Sequence, residues 1–235
     1  MRKLGSGDAQ VEHLEDSTDW VTKSQQGLQP IRAGRFFVHT PMHYSDRPAE
    51  TVNFEIDAGL AFGTGQHATT AGCLGALDRL ATDGSAFNCI ADIGTGTGLL
   101  AFAALSLWPE AKCIATDIDP VAVDVSRDNA AINAVPLGHG KGELLLAVAD
   151  GMDSPMLAAR APFDLLIANI LAGPLIELAP DFAKSLAPDG IAILAGLLET
   201  QADAVARAYE AEGMTLNDRG TGEWPVLVLK GPSQE

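Results

Sequence analysis

Residues 89–98 read Cys-Ile-Ala-Asp-Ile-Gly-Thr-Gly-Thr-Gly. A short apolar run, Ile90 to Ile93, is interrupted only by Asp92 and breaks into glycines at 94, 96 and 98, after which Leu99 to Leu107 is apolar and rich in alanine. The pattern predicts a strand, a tight turn and a helix. Glycines on alternate positions let the backbone take conformations closed to residues with a side chain, and let a ligand approach the chain and the start of the helix. Gly94 and Gly96 are therefore candidate binding positions for a nucleotide-like ligand.

The details narrow the ligand. A dinucleotide fingerprint needs Gly-x-Gly-x-x-Gly, but Leu99 stands where its third glycine would be, and Asp92 lies two residues before the first glycine. A carboxylate at the strand end would repel a pyrophosphate. It suits a ligand carrying an ammonium and a sulfonium, as S-adenosylmethionine does. Downstream, Lys112 to Thr116 reads as a second strand ending at Asp117, where an acid can take both ribose hydroxyls. The competing explanation is a glycine-rich turn in some other α/β protein with a surface aspartate.

With 235 residues and 47% apolar content the chain can bury a sizeable core, and one domain with a short extension is the simplest count. No apolar run approaches the ~20 residues of a membrane span. The opening Met-Arg-Lys-Leu-Gly-Ser-Gly lacks the hydrophobic centre of a signal peptide, so a cytoplasmic location is expected. Cys73, Cys89 and Cys113 are odd in number and show no ligand spacing, which points to structural thiols in a reducing compartment rather than to disulfides or metal. Fifteen basic against thirty-one acidic side chains leave a net charge of −16. That balance argues against direct nucleic-acid binding and for a cationic partner, unless the acidity serves solubility alone.

Taken in order, residues 1–30 are polar and mixed in charge and read as a linker leading to a short helix around Trp20 to Gln26. Phe36 to His39 and Thr51 to Ile56 have strand-like composition and are expected to form a hairpin or two edge strands. Residues 57–70 carry glycines at 59, 63 and 65 without an apolar period and read as a loop. Thr69 and Thr70 precede a helical pattern at Cys73, Leu74, Leu77 and Leu80, so a threonine can cap that helix, and free amides there could meet a ligand carboxylate. His67 is open to a general-base role or to bracing the loop. Pro120 to Asn133 reads as a helix. Glu143 to Val148 reads as a third strand followed by Asp150-Gly151, in which Asp150 either accepts from an adenine amino group or simply forms a turn. Phe163 to Ile170 reads as a central parallel strand that delivers Asn169 to its carboxyl end, where polar catalytic groups are expected in open α/β sheets. Helix Leu175 to Leu186, strand Ile191 to Leu194, helix Thr200 to Glu212 and an antiparallel pair, Met214 to Asp218 with Trp224 to Lys230, complete the chain.

With these pieces placed, the sequence resembles the ribosomal protein methyltransferases of the PrmA family, which modify protein eleven of the bacterial large subunit. The stretches that carry the resemblance are Gly-Leu-Ala-Phe-Gly-Thr-Gly-x-His-x-Thr-Thr at 59–70, Asp-Ile-Gly-Thr-Gly-Thr-Gly at 92–98, Thr-Asp-Ile-Asp-Pro at 116–120 and Ala-Asn-Ile-Leu-Ala-Gly-Pro-Leu at 168–175. The resemblance implies an α/β fold with a doubly wound, mostly parallel sheet of about seven strands that binds S-adenosylmethionine. It matches Thr70, Gly94, Asp117 and Asn169 to the family's cofactor-binding positions. Residues 1–57 are then a linker with the short helix and hairpin strands, and residues 58–235 the methyltransferase domain. Gln66 and Ala68 stand where the family often has threonine and proline. Family members carry a separate amino-terminal domain that recognises the ribosomal protein, and the chain begins close to where the linker to it would start. That leaves open a truncated chain, a short version with another partner, or a different substrate.

The implied reaction is attack of an amine, a lysine side chain or an α-amino group, on the sulfonium methyl. Asn169 is the catalytic candidate, orienting the amine as well as touching the cofactor, and the protein is expected to act as a monomer without a metal. Two other readings remain at this point: a methyltransferase of another protein or a small amine, and a non-catalytic cofactor-binding partner subunit. A dehydrogenase is a more distant third.

Overall fold

The computed structural model describes residues 29–56 and 66–232, with the backbone alone at 66 and 67. The helix expected near Trp20 to Gln26, the glycines at 59, 63 and 65 and the side chain of His67 lie outside the described residues.

Among the described residues, ten strands fall into two sheets. The small one comprises β1 (Ile31–Ala33), β2 (Phe36–His39) and β3 (Val52–Glu55). The large one has seven strands in the order β6-β5-β4-β7-β8-β10-β9. They are β4 (Cys89–Ile93), β5 (Lys112–Asp117), β6 (Leu144–Val148), β7 (Phe163–Asn169), β8 (Leu186–Ala195), β9 (Thr215–Arg219) and β10 (Leu227–Lys230). Strands β4 to β8 run parallel, and β10 is antiparallel to both of its neighbours. The helices are α1 (Gln66–Thr82), α2 (Leu99–Leu107), α3 (Pro120–Ile132), α4 (Pro155–Arg160), α5 (Ala172–Glu177), α6 (Ala179–Ser185) and α7 (Glu199–Ala211).

Two-residue periodicity explains the two cores. Ile90, Cys113, Leu165 and Ile193 face one side of the sheet and pack with α1 and α2. The alternate residues Ala91, Ile114, Leu166 and Leu194 face the other side, with α5 to α7. Because both faces are covered, β7 is apolar throughout its middle, as a central parallel strand requires.

The amino-terminal strands differ from expectation. Strands β2 and β3 pair in parallel, Phe36 opposite Val52, so they do not form a hairpin with each other. The hairpin is β1 with β2, closed at Gly34, whose φ is +55°. The return from β2 to β3 runs through a 3-10 helix, Pro41–Asp46, which brings the chain back to run in the same direction. Phe36, Val38 and Phe54 share a core with α1 and α2. Asn133, at the end of α3, accepts from the Glu55 amide and donates to its carbonyl at 2.9 and 2.7 Å, pinning β3 to the main domain.

Three helical and strand limits also move. Helix α1 is already helical at Gln66, so Thr69 and Thr70 lie inside it rather than capping it, and the Thr70 amide falls beyond the turn where amides are free. The single helix expected over 175–186 is two, broken at Leu178 before Pro180, which has no amide to donate. Strand β8 begins five residues early, at Leu186, and absorbs a kink at Asp189 with φ +59°.

Candidate functional site

The chain lays β4, β5 and β6 outward in one direction and then places β7 on the other side of β4. The gap beyond the carboxyl ends of β4 and β7 is thus the switch point at which open α/β sheets take ligands. Register brings the expected residues to this end of the sheet: Ile93 lies opposite Thr116 and Ala168, Asp117 opposite Val148, and Asn169 opposite Ala195. Gly94, Gly96, Asp117, Asp150 and Asn169 all follow or end these strands.

The turn after β4 is held from several sides. The amides of Gly94 and Thr95 both donate to the Thr116 carbonyl, at 2.8 and 2.9 Å. A side chain at Gly94 would place its Cβ 2.2 Å from Ile170, so this position has no room for one. Gly96 is different. Its φ is +56°, and a Cβ there would meet nothing within 4 Å among the described residues, so the turn turns an open face toward the crevice at this residue. Its amide donates to Asp117 Oδ2 at 2.9 Å and its carbonyl accepts from Ser126 Oγ at 2.8 Å. Asn129 Nδ2 donates to the Thr97 carbonyl at 3.0 Å.

Asp117 therefore does more than wait for a ligand. Its Oδ1 accepts from the Asp119 amide at 3.0 Å while Oδ2 holds Gly96. Each carboxylate oxygen keeps a second lone pair. Asp150 is exposed, two residues past β6, and forms a bridge with Asp153; the neighbouring Ala149 amide donates to the Asp117 carbonyl at 2.9 Å. Thr70 is buried within α1. Asn169 is half-buried, and its side chain makes no hydrogen bond among the described residues.

Asp92 is the electrostatic centre of the site. It is 1% exposed, and its Oδ2 accepts from Thr95 Oγ1 at 2.6 Å, while Oδ1 has no partner among the described residues. Burial pushes its carboxyl up to about 7; the Thr95 hydroxyl and the nearby Ala101 amide hold the rise back, and the negative charge of Asp117 adds to it. A buried carboxylate with an unused oxygen gains most from a cation brought to it.

Several residues were not singled out from the sequence. Ser126 and Asn129, three apart on one face of α3 and almost wholly buried, support the glycine turn. Two polar residues at helical spacing among apolar ones were the available signal. Glu223 and Trp224 sit just before β10, whose Leu227 lies opposite Leu194, so the β9–β10 loop reaches the same end of the sheet as Asn169. The loop is tied there by the Glu199 amide donating to the Glu223 carbonyl at 2.9 Å. Between it and α1 runs a groove of about 430 Å³ bordered by Ala68, Gly72 and Trp224. Nothing local in the sequence announced that placement. Cys73, Cys89 and Cys113 are all free, and no cluster of metal-ligating side chains exists among the described residues. No helix among them is long and apolar enough to cross a membrane.

Known proteins share this architecture. The family model described as "Ribosomal protein L11 methyltransferase (PrmA)" matches residues 1–231. A protein of Brucella suis named ribosomal protein L11 methyltransferase is 46% identical over 231 residues, covering 97% of this chain and 77% of that protein. One of Mesorhizobium japonicum with the same name is 47% identical over 216 residues, covering 90% and 71%. Among solved structures, a ribosomal protein L11 methylase from Lactobacillus delbrueckii subsp. bulgaricus superposes with a TM-score of 0.70 at 27% identity, over 87% of this chain and all of that one. The N-methyltransferase NodS of Bradyrhizobium japonicum, solved with S-adenosyl-L-homocysteine, shares the fold at a TM-score of 0.53 and 16% identity, over 68% of this chain and 86% of that one. With its glycine turn, acid-ended second strand and Asn169 at the switch point, this chain belongs to the ribosomal protein L11 methyltransferase (PrmA) family.

Proposed function

We propose that the chain is an S-adenosylmethionine-dependent protein N-methyltransferase that methylates amino groups, on lysine side chains or at the amino terminus, of large-subunit ribosomal protein L11. The observation that carries this reading is the glycine turn open at Gly96 beside a buried Asp92 whose Oδ1 has no partner among the described residues.

The residues present fit that cofactor. Asp92 offers an acceptor to its ammonium, and the turn, closed against Ile170 at Gly94, admits the cofactor against the backbone at Gly96. Asp117 has lone pairs left for ribose hydroxyls, Asp150 lies beyond for an adenine amino group, and Thr70 and Asn169 border the remaining side. When bound, the cofactor supplies a methyl group on a positively charged sulfur that an amine can attack in line. This chain's contribution is mainly to hold the amine in that line.

A lysine with its reference pKa of about 10.4 must first lose a proton, at a cost of roughly 4.6 kcal/mol at pH 7 (about 3.4 units at 1.36 each). The net charge of −16 opposes that loss because it stabilises the ammonium. Desolvation in the crevice and the cation bound there act in the other direction. The Asn169 side-chain oxygen, with nearby backbone carbonyls, points the neutral amine's lone pair toward the methyl group, and the proton leaves to water. The groove beside Trp224 opens at the same end of the sheet and gives the incoming ammonium an aromatic face and the Glu223 carboxylate. The same reading has the protein act in the cytoplasm, where ribosomal proteins are assembled, as a monomer without direct nucleic-acid contact, in keeping with the charge.

The test is the intact mass of purified ribosomal protein L11 after incubation with this chain and S-adenosylmethionine, with cofactor binding measured alongside. Stepwise addition of methyl groups is expected. An unchanged mass, with the cofactor bound, would overturn the choice of substrate.

A further inference from the structure

The amino end of the large sheet, opposite the crevice, carries a cavity of about 520 Å³. It lies where β4 and β5 begin, at Cys89 and Lys112, and is closed by the end of α4 at Arg160. Its charge is the reverse of the chain's. Among the described residues, Lys112, Lys141, Arg160 and His139 line it against a single carboxylate, Glu110, in a protein with thirty-one acids and fifteen bases. Glu110 is 82% exposed and stands 3.9 Å from Lys141, a weak pair in water.

Arg160 is the fixed element. Its guanidinium donates to the carbonyls of Cys113 and His139, at 3.1 and 3.3 Å, and to no carboxylate among the described residues. Arg79 and Arg219, by contrast, are each neutralised by acids. Two of the five guanidinium N–H groups are thus used in holding its orientation, and the rest remain for a ligand. The other nearby carboxylate, Asp164, is taken by the amides of Asn88 and Cys89 at 2.8 and 2.9 Å. The loop that presents His139 and Lys141 is also braced: Gly138 donates to the Leu144 carbonyl at 3.0 Å, and Gly142 to that of Ala111 at 2.8 Å. Burial, with the Asp164 charge second, keeps the Cys89 thiol above its ordinary range, so the cavity is not built around a reactive thiolate. Leu145, Met156 and Pro162 provide an apolar wall, and Met156 is 42% exposed for a large hydrophobic side chain.

We propose that this cavity binds a small organic phosphate of about mononucleotide size, its phosphate held by Arg160, Lys112 and Lys141 and its apolar part laid on Met156 and Pro162. Two of the three cations have no carboxylate partner among the described residues, which suits a dianion better than a single carboxylate. The guanidinium fork matches phosphate oxygens. The volume falls in the range of small-molecule sites. A long polyanion is disfavoured, since beyond the cavity the field of the protein repels it.

Adenosine 5′-monophosphate is the probe, added to the full chain saturated with S-adenosylhomocysteine so that the crevice is occupied, and read from the backbone amide spectrum. Shifts are expected at Cys89, Lys112, His139 and Lys141, and none with adenosine, which lacks the phosphate. The double variant Lys112→Glu/Lys141→Glu should weaken binding by on the order of tenfold or more while leaving S-adenosylhomocysteine binding unchanged. Shifts confined to the turn at 94–98, no shifts at all, or affinity indifferent to the charge reversal would each overturn the proposal. Arg160 braces two carbonyls and its removal could unfold the loop, so the exposed lysines carry the test.

Discussion

The two ends of one parallel sheet have opposite chemistry. At the carboxyl end, Asp92 and Asp117 flank a glycine turn, Asp150 follows the edge strand β6, and a buried carboxylate oxygen has no partner among the described residues. At the amino end, Lys112, Lys141 and Arg160 gather around a cavity in which, among the described residues, the guanidinium meets only backbone carbonyls. The first end is short of a cation and the second short of an anion. A parallel sheet permits this because every strand enters at one end and leaves at the other, so the loops before the strands and those after them form separate surfaces. The difference teaches that a net charge of −16 describes neither end: each site is set by which few groups the fold leaves uncompensated.

The largest expected effect at the carboxyl end comes from Asp92. Its carboxyl titrates near 7 in the folded protein against an ordinary value of 3.8, so between those pH values the folded state holds a proton that the unfolded state has lost. Stability therefore falls as pH rises from about 4 to about 7, by on the order of 4 kcal/mol, and levels off above. Urea unfolding at several pH values should show this slope in the parent and its loss in Asp92→Asn. Binding of S-adenosylhomocysteine should run the other way, weakening about tenfold for each pH unit below 7 as the carboxylate is neutralised. A dissociation constant flat from pH 6 to 8 would break the pairing of Asp92 with an ammonium.

Asn169→Ala comes next. Turnover should drop by about 100-fold, close to 2.7 kcal/mol of transition-state stabilisation, in the range found for removal of one orienting polar group. The dissociation constant of the cofactor product, measured calorimetrically, should change far less than turnover. Full turnover with normal cofactor binding would remove Asn169 from the reaction.

Gly96→Ala sharpens the contrast between folding and binding at the same turn. A left-handed conformation costs an L-residue roughly 1–2 kcal/mol, and no atom of the described residues stands within 4 Å to add a clash. The melting temperature should therefore fall modestly, while affinity for S-adenosylhomocysteine falls by more than that strain accounts for. Equal losses would mean that Gly96 shapes the turn but touches no ligand. The smallest effect belongs to the other end: Lys112→Glu/Lys141→Glu should change stability by only about 0.5 kcal/mol, because both side chains are exposed, and should leave cofactor affinity within about twofold. A large loss of cofactor binding in that variant would show that the two ends are coupled.

The carboxyl-end site was legible because its parts are local. The β4 strand, the glycine turn and the start of α2 occupy one continuous stretch, and Asp117 closes the next strand. Where the reading departed from the fold, a longer-range contact decided. Strands β2 and β3 run parallel because the 3-10 helix carries the chain back and Asn133 grips Glu55, two facts separated from the strand pattern in the chain. Asp117 braces Gly96, a bond across two strand ends that spacing alone does not reveal. The placing of Glu223 and Trp224 depends on β10 entering the sheet between β8 and β9.

The amino-acid sequence by itself determined the α/β class, the position of the glycine turn, the residues that end the parallel strands and the family to which the chain belongs. Those features rest on periodicity, on glycine's freedom at positive φ and on short contiguous motifs, all of which act over a few residues. Only the tertiary structure decided that one oxygen of Asp92 is buried with no partner among the described residues, that Asp117 holds the turn, and that Lys112 and Arg160, which meet no carboxylate among those residues, converge with Lys141 at the far end of the sheet. Burial and compensation of charge depend on which distant segments come to surround a group, and residues 88–89, 110–112, 139–145 and 156–162 become neighbours only when the strands between them are packed side by side.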